Sequence, residues 1–577
     1  MRLYIKLSLI ILCLSILSCK KLIEPKLDNS LTESQLEGDP IFAEGILLKA
    51  YAALPNEYNF ETDIATDDAV SNDPASVYRN MALGNWRAAN NPISKWESAN
   101  SNIFYINRFL SIYENVIWSS NPNLTAANND LRNTLHLKRL KGEAYALRAW
   151  YKWTLLQYHG GLGADGTLLG FPIIDKYLTS GDNWAIPRNT FAECVNSIFA
   201  DLDVAIANLP AQWVDLPTGT TDPVINAHIN ATSGARFQNR INGNTALAIK
   251  ARVALLAASP AFSAFSGVTW AQAATIAGPL VKSLGALYAS GVTFYLERSN
   301  KEILWNRAEV QKRTWEQSNF PPSLYGSGRT NPTQNLVDAF GMKNGYPITD
   351  LLSTYNAATP YTNRDPRLAK YIVYNTAVLK TPNIIYTYIG AANNGINVLL
   401  TSTRTGYYLK KFMNEGVALT PGASVNTSHT STLSRMTELY LAYAEAANEA
   451  WGPTGDPNGY GFTAYSVTRD IRIRAGITQP DNYLSSLTTT SGLRALIHNE
   501  RRIELCFEGF RFWDIRRWND LSTMKTAATA ALITNTAGVY SYVYSNVEER
   551  NFADNMIYGP IPYAETVKYN LVQNKGW

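Results

Sequence analysis

Apolar side chains recur every three or four residues along much of this chain, and that spacing predicts a mainly α-helical protein. Leu137, Leu140, Ala144, Leu147, Tyr151, Leu155 and Tyr158 line one face of a long helix, which Gly160-Gly161 stops. A second helix opens at Thr190, whose hydroxyl caps it while Glu193 closes a capping box. Its apolar stripe is Phe191, Val195, Ile198, Leu202, Ile206 and Leu209, and Pro210 ends it. From Gly243 to Ser259 alanine recurs (Ala246, Ala248, Ala251, Ala254, Ala257, Ala258), which lets helices approach closely. Further helices are predicted near 41–53, 96–118, 270–289, 434–450, 463–475 and 491–507. Long loops rich in Asn, Thr, Gly and Pro separate them, at 60–95, 211–242, 308–360, 376–430 and 526–556. Short strands fit Tyr371-Ile372-Val373-Tyr374 and Tyr407-Tyr408-Leu409. Helix pairs separated by long loops fit a helical-repeat scaffold that displays a ligand site on its loops.

The start of the chain breaks this pattern. Arg2 and Lys6 form a basic segment before an apolar run from Leu7 to Leu17, too short to span a bilayer and suited to a signal peptide. The run ends in Ile16-Leu17-Ser18-Cys19, which resembles a bacterial lipobox. Residues 1–18 are therefore read as a lipoprotein signal peptide, with Cys19 as the lipidated first residue of a tether over 19–40. Two acyl chains anchor a protein stably.

Composition narrows the function. Charged residues make up 17% of the chain, and the formal charge of +4 falls by two when Arg2 and Lys6 leave with the signal segment. That balance gives no electrostatic footprint for nucleic acid, which is not expected as a partner. Aromatics reach 11%, with 33 Tyr and 14 Trp, a composition suited to polar, uncharged ligands handled on aromatic surfaces. Only Cys194 and Cys506 remain beyond the anchor, so neither a disulfide framework nor a metal-type cysteine spacing is present. The histidines (His136, His159, His228, His429, His498) are scattered, and neither a metal nor another cofactor is expected. Gly161-Leu162-Gly163-Ala164-Asp165-Gly166 matches a dinucleotide pattern, but a helix precedes it where a strand is needed, so it reads as a flexible loop. Tyr325-Gly326-Ser327-Gly328 lacks the spacing of a nucleophile elbow.

Five blocks, in order, resemble the SusD/RagB family. They are Arg139 to Tyr151; Ile186-Pro187-Arg188-Asn189-Thr190; Asn363-Arg364-Asp365-Pro366-Arg367-Leu368 with Thr405 to Phe412; Arg435 to Asn448; and Glu500 to Trp518. The ending, from Pro560-Ile561-Pro562 to Asn574-Lys575-Gly576-Trp577, is also similar. In the Glu500–Trp518 block, Arg501 with Glu504 and Glu508 with Arg511 stand three apart and are expected to pair on one helix face. The interleaved arginines would depress the pKa values of Glu500, Glu504 and Glu508, which argues against a general acid and against an enzyme.

The resemblance implies a tetratricopeptide-like helical-repeat scaffold with long irregular loops and a few short strands. It divides the chain into an N-terminal helical region over 41–260 and a C-terminal region over 261–577, forming one compact unit. It also implies a lipid-anchored outer-membrane protein that faces outward, binds an oligosaccharide and delivers it to a SusC-like TonB-dependent transporter. A peptide-binding receptor and a glycan-degrading enzyme are the alternatives.

Sugar sites pair flat aromatic rings with polar groups that read hydroxyls, and loops on a rigid scaffold suit them. Two loops fit: one with Asp67, Asp68, Tyr78, Arg79, Trp86 and Asn90, the other with Trp315, Phe320, Tyr325 and Arg329. Trp86 and Trp315 are the expected stacking rings. If Cys19 carries the anchor, Cys19→Ala will move the protein from the membrane fraction to the soluble fraction. Mass spectrometry of the native N-terminus will find an acylated Cys19; an intact Met1 or another cut site would refute that.

Overall fold

A computed structural model describes residues 36–577 apart from 59, 220, 221 and 298, so the signal segment, Cys19 and most of the tether lie outside the described residues. The first described helix, α1 (Pro40–Ala52), starts where the Asp39 carboxylate accepts hydrogen bonds from the Ile41 and Phe42 amides. It packs on α2 (Trp96–Ile112), which packs on α3 (Ala126–His159). The array continues through α4 (Phe191–Asn208), α5 (Gly243–Ala258), α6 (Trp270–Leu284) and α7 (Met436–Trp451), each against its predecessor. Both α8 (Ala464–Ala475) and α9 (Thr490–Glu504) lean on α7. Leu140, Leu147, Leu155, Val195, Ile198, Leu202 and the α5 alanines form the core of this mainly helical array. The expected capping box is present: Thr190 N–H donates to Glu193 Oε2 at 2.8 Å, and Glu193 N–H returns to Thr190 Oγ1.

Helix α3 starts eleven residues before the apolar stripe that predicted it. Its first turns are polar, and Asn129 and Asn133 there accept hydrogen bonds from Ser119. Two longer elements occupy stretches expected to be loop. The helix Pro223–Ser233 buries only His228 and Thr232, so no apolar stripe announces it. A hairpin joins 528–536 to 539–548.

Strands come as antiparallel pairs: β1 (Ala69–Ser71) with β5 (Thr330–Pro332), β2 (Gly161–Leu162) with β3 (Leu168–Leu169), and β4 (Ile303–Asn306) with β8 (Thr432–Arg435). The pair β6 (Ile372–Val373) and β7 (Tyr408–Leu409) falls where short strands were expected. The hairpin is β9 (Ala528–Thr536) with β10 (Val539–Glu548). The β2–β3 hairpin holds the glycine run at 161–166, which is a turned ribbon rather than a phosphate loop.

A second core, rich in Tyr and Phe, lies beneath the loops, and a buried charge network ties it to the helices. Helix α9 ends at Glu504, and Phe507 takes a left-handed φ of 61° that turns the chain before α10 (Arg511–Arg517). The expected pairs three residues apart do not form: Glu508 lies beyond the end of α9 and off the helix that carries Arg511, and Arg501 and Glu504, though both in α9, each take other partners. Glu504 instead meets Arg474 at 2.6 Å, Arg367 at 3.0 Å and Arg435 at 3.4 Å. Arg367 also holds Asp365 and Glu500, and Arg435 reaches Glu302 and Glu508. Arg501 turns to Asp514 at 3.0 Å, and Arg511 to Asp67. Burial alone would raise the Glu504 carboxyl, but Arg474, Arg435 and Arg367 outweigh it and hold it well below the usual range. Glu445, facing Arg517, is lowered in the same way.

Removing one partner of a buried pair strands the other charge in a dry site and costs about 3–5 kcal/mol. Arg367→Ala is expected to lower unfolding free energy by about that amount in urea titrations. Glu504 and Glu445 keep their charge in the folded state below the pH, near 4.3, at which unfolded glutamates protonate. Their stabilisation is thus full above that pH and is lost as pH falls further, because the unfolded chain then binds more protons. Thermal melts should show Tm falling steeply below pH about 4, with a shallower fall in Glu504→Gln.

Candidate functional site at the junction of two loops

The two loops singled out in the sequence meet. Strand β1 from the first pairs with β5 from the second, with Ala69 opposite Pro332, Val70 opposite Asn331 and Ser71 opposite Thr330. The register is locked at one end by Thr333, whose N–H donates to Asp68 O at 2.9 Å and whose hydroxyl donates to Asp67 O at 2.5 Å. Past the other end, Asn72 Nδ2 donates to Ser327 O at 2.9 Å and to Ser402 O at 3.3 Å, adding a third loop.

Asp67 and Asp68 anchor this junction from below. Arg502 Nη2 donates to Asp67 Oδ2 at 2.8 Å, its Nε donates to Asp68 Oδ1 at 2.7 Å, and Arg511 Nη2 donates to Asp67 Oδ2 at 3.0 Å. Burial would raise Asp67, yet Arg502 and Arg511 bring it below its usual value; Asp68 is raised because burial and the Asp67 charge prevail over Arg502. On the flank, Glu548 at the end of β10 gathers Arg79, Arg404 and Arg550 at 2.6, 2.6 and 2.9 Å. Arg404 also donates to Ser71 O, and Arg550 to Thr66 O and Ala69 O. The backbone carbonyls of Thr66, Ala69 and Ser71 are thus each held by an arginine from a distant part of the chain.

Five of the expected ligand-contact residues lie in the support rather than on the surface. Trp86 is 1% exposed, its ring edge-on to Trp577 at 4.9 Å and tilted against Phe512, and its Nε1–H donates to Asn91. Trp315 is 4% exposed, packed with Tyr58, Phe60 and Phe412, and its indole N–H donates to Glu57. Phe320, Asp67 and Asp68 are buried as well. The correction has a common cause: each ring or carboxylate finds its partner far away in sequence, and the loop closes over it. Tyr78 is half-buried between two apolar clusters, Arg79 is turned inward onto Glu548, and Asn90 is exposed in a tight turn with Arg87.

Tyr325 and Arg329 remain at the surface. Tyr325 is 59% exposed and sits in the left-handed region (φ 63, ψ 20), which a bulky residue enters only when its surroundings impose it. Here they do. Tyr325 N–H donates to Pro322 O at 2.9 Å, Ser327 N–H to Gln317 O at 2.8 Å, and Gly328 N–H to Phe320 O at 3.1 Å. Gly326 lies so close to the Phe320 carbonyl that a Cβ there would stand 2.1 Å from its oxygen. Ser323 is tied to Asn394 of the third loop through both its N–H and its hydroxyl. Arg329 faces Asp73 at 3.6 Å and Asn72 Oδ1 at 3.4 Å, both charged side chains being roughly one-third exposed (38% and 35%). Glu61 stands by the same pair, its carboxyl raised by burial and by Asp73 against the pull of Arg329. An exposed phenol, and on the same tied loops a carboxylate, a guanidinium and an amide, are the groups that stack one face of a sugar ring and read its hydroxyls. The sequence pointed to Tyr325 and Arg329 but not to Glu61, Asn72 or Asp73, although Asn72-Asp73-Pro74 follows Asp67-Asp68 closely enough to have drawn attention.

Comparison with known proteins agrees with this architecture. The SusD family profile matches residues 300–577, and a profile described as "Starch-binding associating with outer membrane" matches residues 27–223. The chain belongs to the SusD family. Among solved structures, a SusD-like protein of Bacteroides fragilis NCTC 9343 is similar over 96% of this chain and 99% of its own, at 23% identity and a TM-score of 0.73. A SusD-like carbohydrate-binding protein of the same strain gives 21% identity, 92% and 98% coverage and a TM-score of 0.68. A laminarin-binding SusD-like protein gives 18% identity, 93% and 99% coverage and a TM-score of 0.58. A SusD-like protein of Formosa agariphila is 27% identical over 207 residues, 36% of this chain and 33% of its own length, so the match spans about a third of that relative.

Trp86→Ala and Trp315→Ala will each lower stability by about 3–5 kcal/mol, the cost of emptying a packed aromatic site. Tyr325→Ala will leave Tm unchanged or raise it slightly, since it removes an exposed ring from a strained position. Differential scanning calorimetry of the three variants checks this; a normal Tm in Trp86→Ala would return that ring to the candidates for ligand contact.

Proposed function

We propose that this chain is a lipid-anchored receptor of the outer membrane that captures a neutral oligosaccharide at the loop junction and passes it to a SusC-like TonB-dependent transporter. The observation that carries the reading is the pair of tied loops that leaves Tyr325 exposed in a strained turn and Arg329 facing Asp73 and Asn72, with Asn72 also holding Ser327 O two residues beyond Tyr325. A phenol face covering a few tens of Å² of sugar C–H surface contributes on the order of 1 kcal/mol at roughly 25 cal/mol per Å². Hydrogen bonds from Arg329 and Asp73 replace bonds the sugar already makes to water, so they add selectivity more than strength.

The carbohydrate class is supported by the names of two structural relatives, one called carbohydrate-binding and the other laminarin-binding. Outer-membrane tethering is supported by the lipobox-like Leu17-Ser18-Cys19 and by the description of the profile over 27–223. No described helix is long and apolar enough to cross a membrane. A hydrolase reading is weaker. Glu500, Glu504 and Glu508 are buried among Arg367, Arg435, Arg472, Arg474 and Lys411, and Glu504 is held in its charged form, unfit to donate a proton.

Titration calorimetry of the mature protein against laminarihexaose, maltoheptaose and a panel of plant and algal oligosaccharides tests the reading. Tyr325→Ala and Arg329→Ala are each expected to weaken binding about tenfold, near 1.4 kcal/mol, at unchanged Tm. Wild-type affinity in both variants would move the site, cleavage of the glycan would make the protein an enzyme, and binding of peptides alone would make it a peptide receptor.

A further inference from the structure

The hairpin of β9 and β10 is a two-stranded sheet, and the fold treats its two outer edges differently. The β9 edge is covered: Ala531 N–H donates to Thr405 O at 2.9 Å, and Ile533 O accepts from Ile389 N–H at 2.8 Å. Thr529 N–H likewise donates to Asn335 Oδ1 at 2.8 Å. In the hairpin register these three residues stand opposite Tyr544, Tyr542 and Asn546. In an antiparallel pair, a residue that turns its backbone groups away from the partner strand faces one that does the same. The N–H and C=O groups of Tyr542, Tyr544 and Asn546, and by alternation those of Tyr540, therefore point out of the β10 edge. None of these backbone groups has a hydrogen-bond partner among the described residues. The strand is nonetheless held extended from behind, where Tyr540 packs on Tyr388 at 5.9 Å and Tyr542 on Tyr361 at 5.8 Å.

An open edge is a template for another strand, and proteins guard theirs with lysine, proline or a bulge. Strand β10 has its guards only at the base, where the register shifts at Val547 and Glu548 follows. From Val539 to Asn546 the sequence runs Val-Tyr-Ser-Tyr-Val-Tyr-Ser-Asn, with neither a charge nor a proline. Residues 540–546 also read nearly the same in both directions about Val543. Ser541 mirrors Ser545 and Tyr542 mirrors Tyr544, and only Tyr540 against Asn546 breaks the symmetry.

That symmetry selects the occupant. Antiparallel pairing with an identical strand about a two-fold axis sets each residue opposite its mirror. Val543 then meets Val543, Ser541 meets Ser545 and Tyr542 meets Tyr544, which are β-branched, hydroxyl and aromatic pairs of the kind that stabilise sheets. Charge is compatible as well: Glu548 and Glu549 of one copy fall near the uncharged turn Ala537-Gly538 of the other, so like charges do not meet. We infer that the β10 edge pairs with β10 of a second copy of this chain, antiparallel and centred on Val543. The outer edges of the resulting sheet are the two β9 strands, which are already covered, so assembly closes at two copies. Neither Tyr325 nor Arg329 takes part, and the inference does not depend on what the loop junction binds.

Cysteine crosslinking of the full chain tests the register. Val543 is 61% exposed, so substitutions there leave the core intact. Its two copies would form a non-hydrogen-bonded pair with Cα atoms about 4.5 Å apart, within reach of a disulfide. Under mild oxidation Val543→Cys should give about tenfold more disulfide-linked dimer than Ser541→Cys, whose two copies lie four residues out of register, about 14 Å apart. Mixing Ser541→Cys with Ser545→Cys should restore the crosslink. Cys194 and Cys506 are buried and do not compete. Sedimentation equilibrium gives an independent reading. Val543→Lys and Val543→Glu should each be monomeric with unchanged Tm, and their equimolar mixture should recover the dimer. Equal crosslinking of Val543→Cys and Ser541→Cys, self-association of Val543→Lys like wild type, or a mixture that stays monomeric would each overturn the inference. So would a wild-type chain that is monomeric up to its solubility limit yet binds a synthetic Thr-Val-Thr-Val-Thr peptide, since the edge would then serve a foreign strand.

Discussion

The ion-pair network centred on Glu504 is the constraint on which the rest of the molecule depends. It draws together α8, α9, the segment before β6, and β8, and it does so in a nearly dry interior. Charges in such a place are stabilising only when each finds its counterpart at the right distance. Their geometry therefore specifies one arrangement of the helical array against the Tyr- and Phe-rich core, where apolar packing alone would tolerate several. The same logic extends outward through Arg502 and Arg511 to Asp67 and Asp68, and through Arg550 to Glu548. By the time the chain reaches the surface, the loops around Tyr325 rest on a frame of charges rather than on regular secondary structure.

This frame explains how irregular loops can hold a fixed surface. A loop that must be ordered by its ligand loses conformational entropy on binding, roughly 1–2 kcal/mol per residue fixed. At the junction that cost has already been met during folding, by the β1–β5 pairing, the Asn72 bridges and the Ser323–Asn394 tie. The strained backbone of Tyr325 persists for the same reason.

Periodicity made the helical array legible. The stripe on α3, the capping box of α4 and the alanines of α5 are local features, and local features are what spacing reports. Helix Pro223–Ser233 escaped because it buries no apolar face. The β9–β10 hairpin escaped for a different reason: its two-residue turn is Ala537-Gly538, both at positive φ (52 and 89), and alanine is a rare choice where Asn, Asp or Gly is the usual signal. Alternation at Tyr540, Tyr542 and Tyr544 was the cue that remained. For the candidate site, the sequence singled out two loops that the structure brings together, and misjudged which of their rings face outward. Whether Trp86 is a platform or a core residue is decided by Trp577, and whether Asp67 is a reader of hydroxyls or an anchor is decided by Arg502. No local pattern carries that information.

Those long-range partnerships also impose an order of events on synthesis. Asp67 waits for Arg502, Arg79 for Glu548 and Trp86 for Trp577, so residues 60–90 leave the ribosome hundreds of residues ahead of the groups that neutralise and cover them. Until then two unpaired carboxylates and an uncovered indole travel on a nascent segment with little helical structure of its own. Contacts of such high sequence separation slow folding and lengthen the exposure of apolar surface. The helical array can assemble as it emerges, whereas the loop-junction side is finished last, when the final strands and the residues around Trp577 swing back to close it.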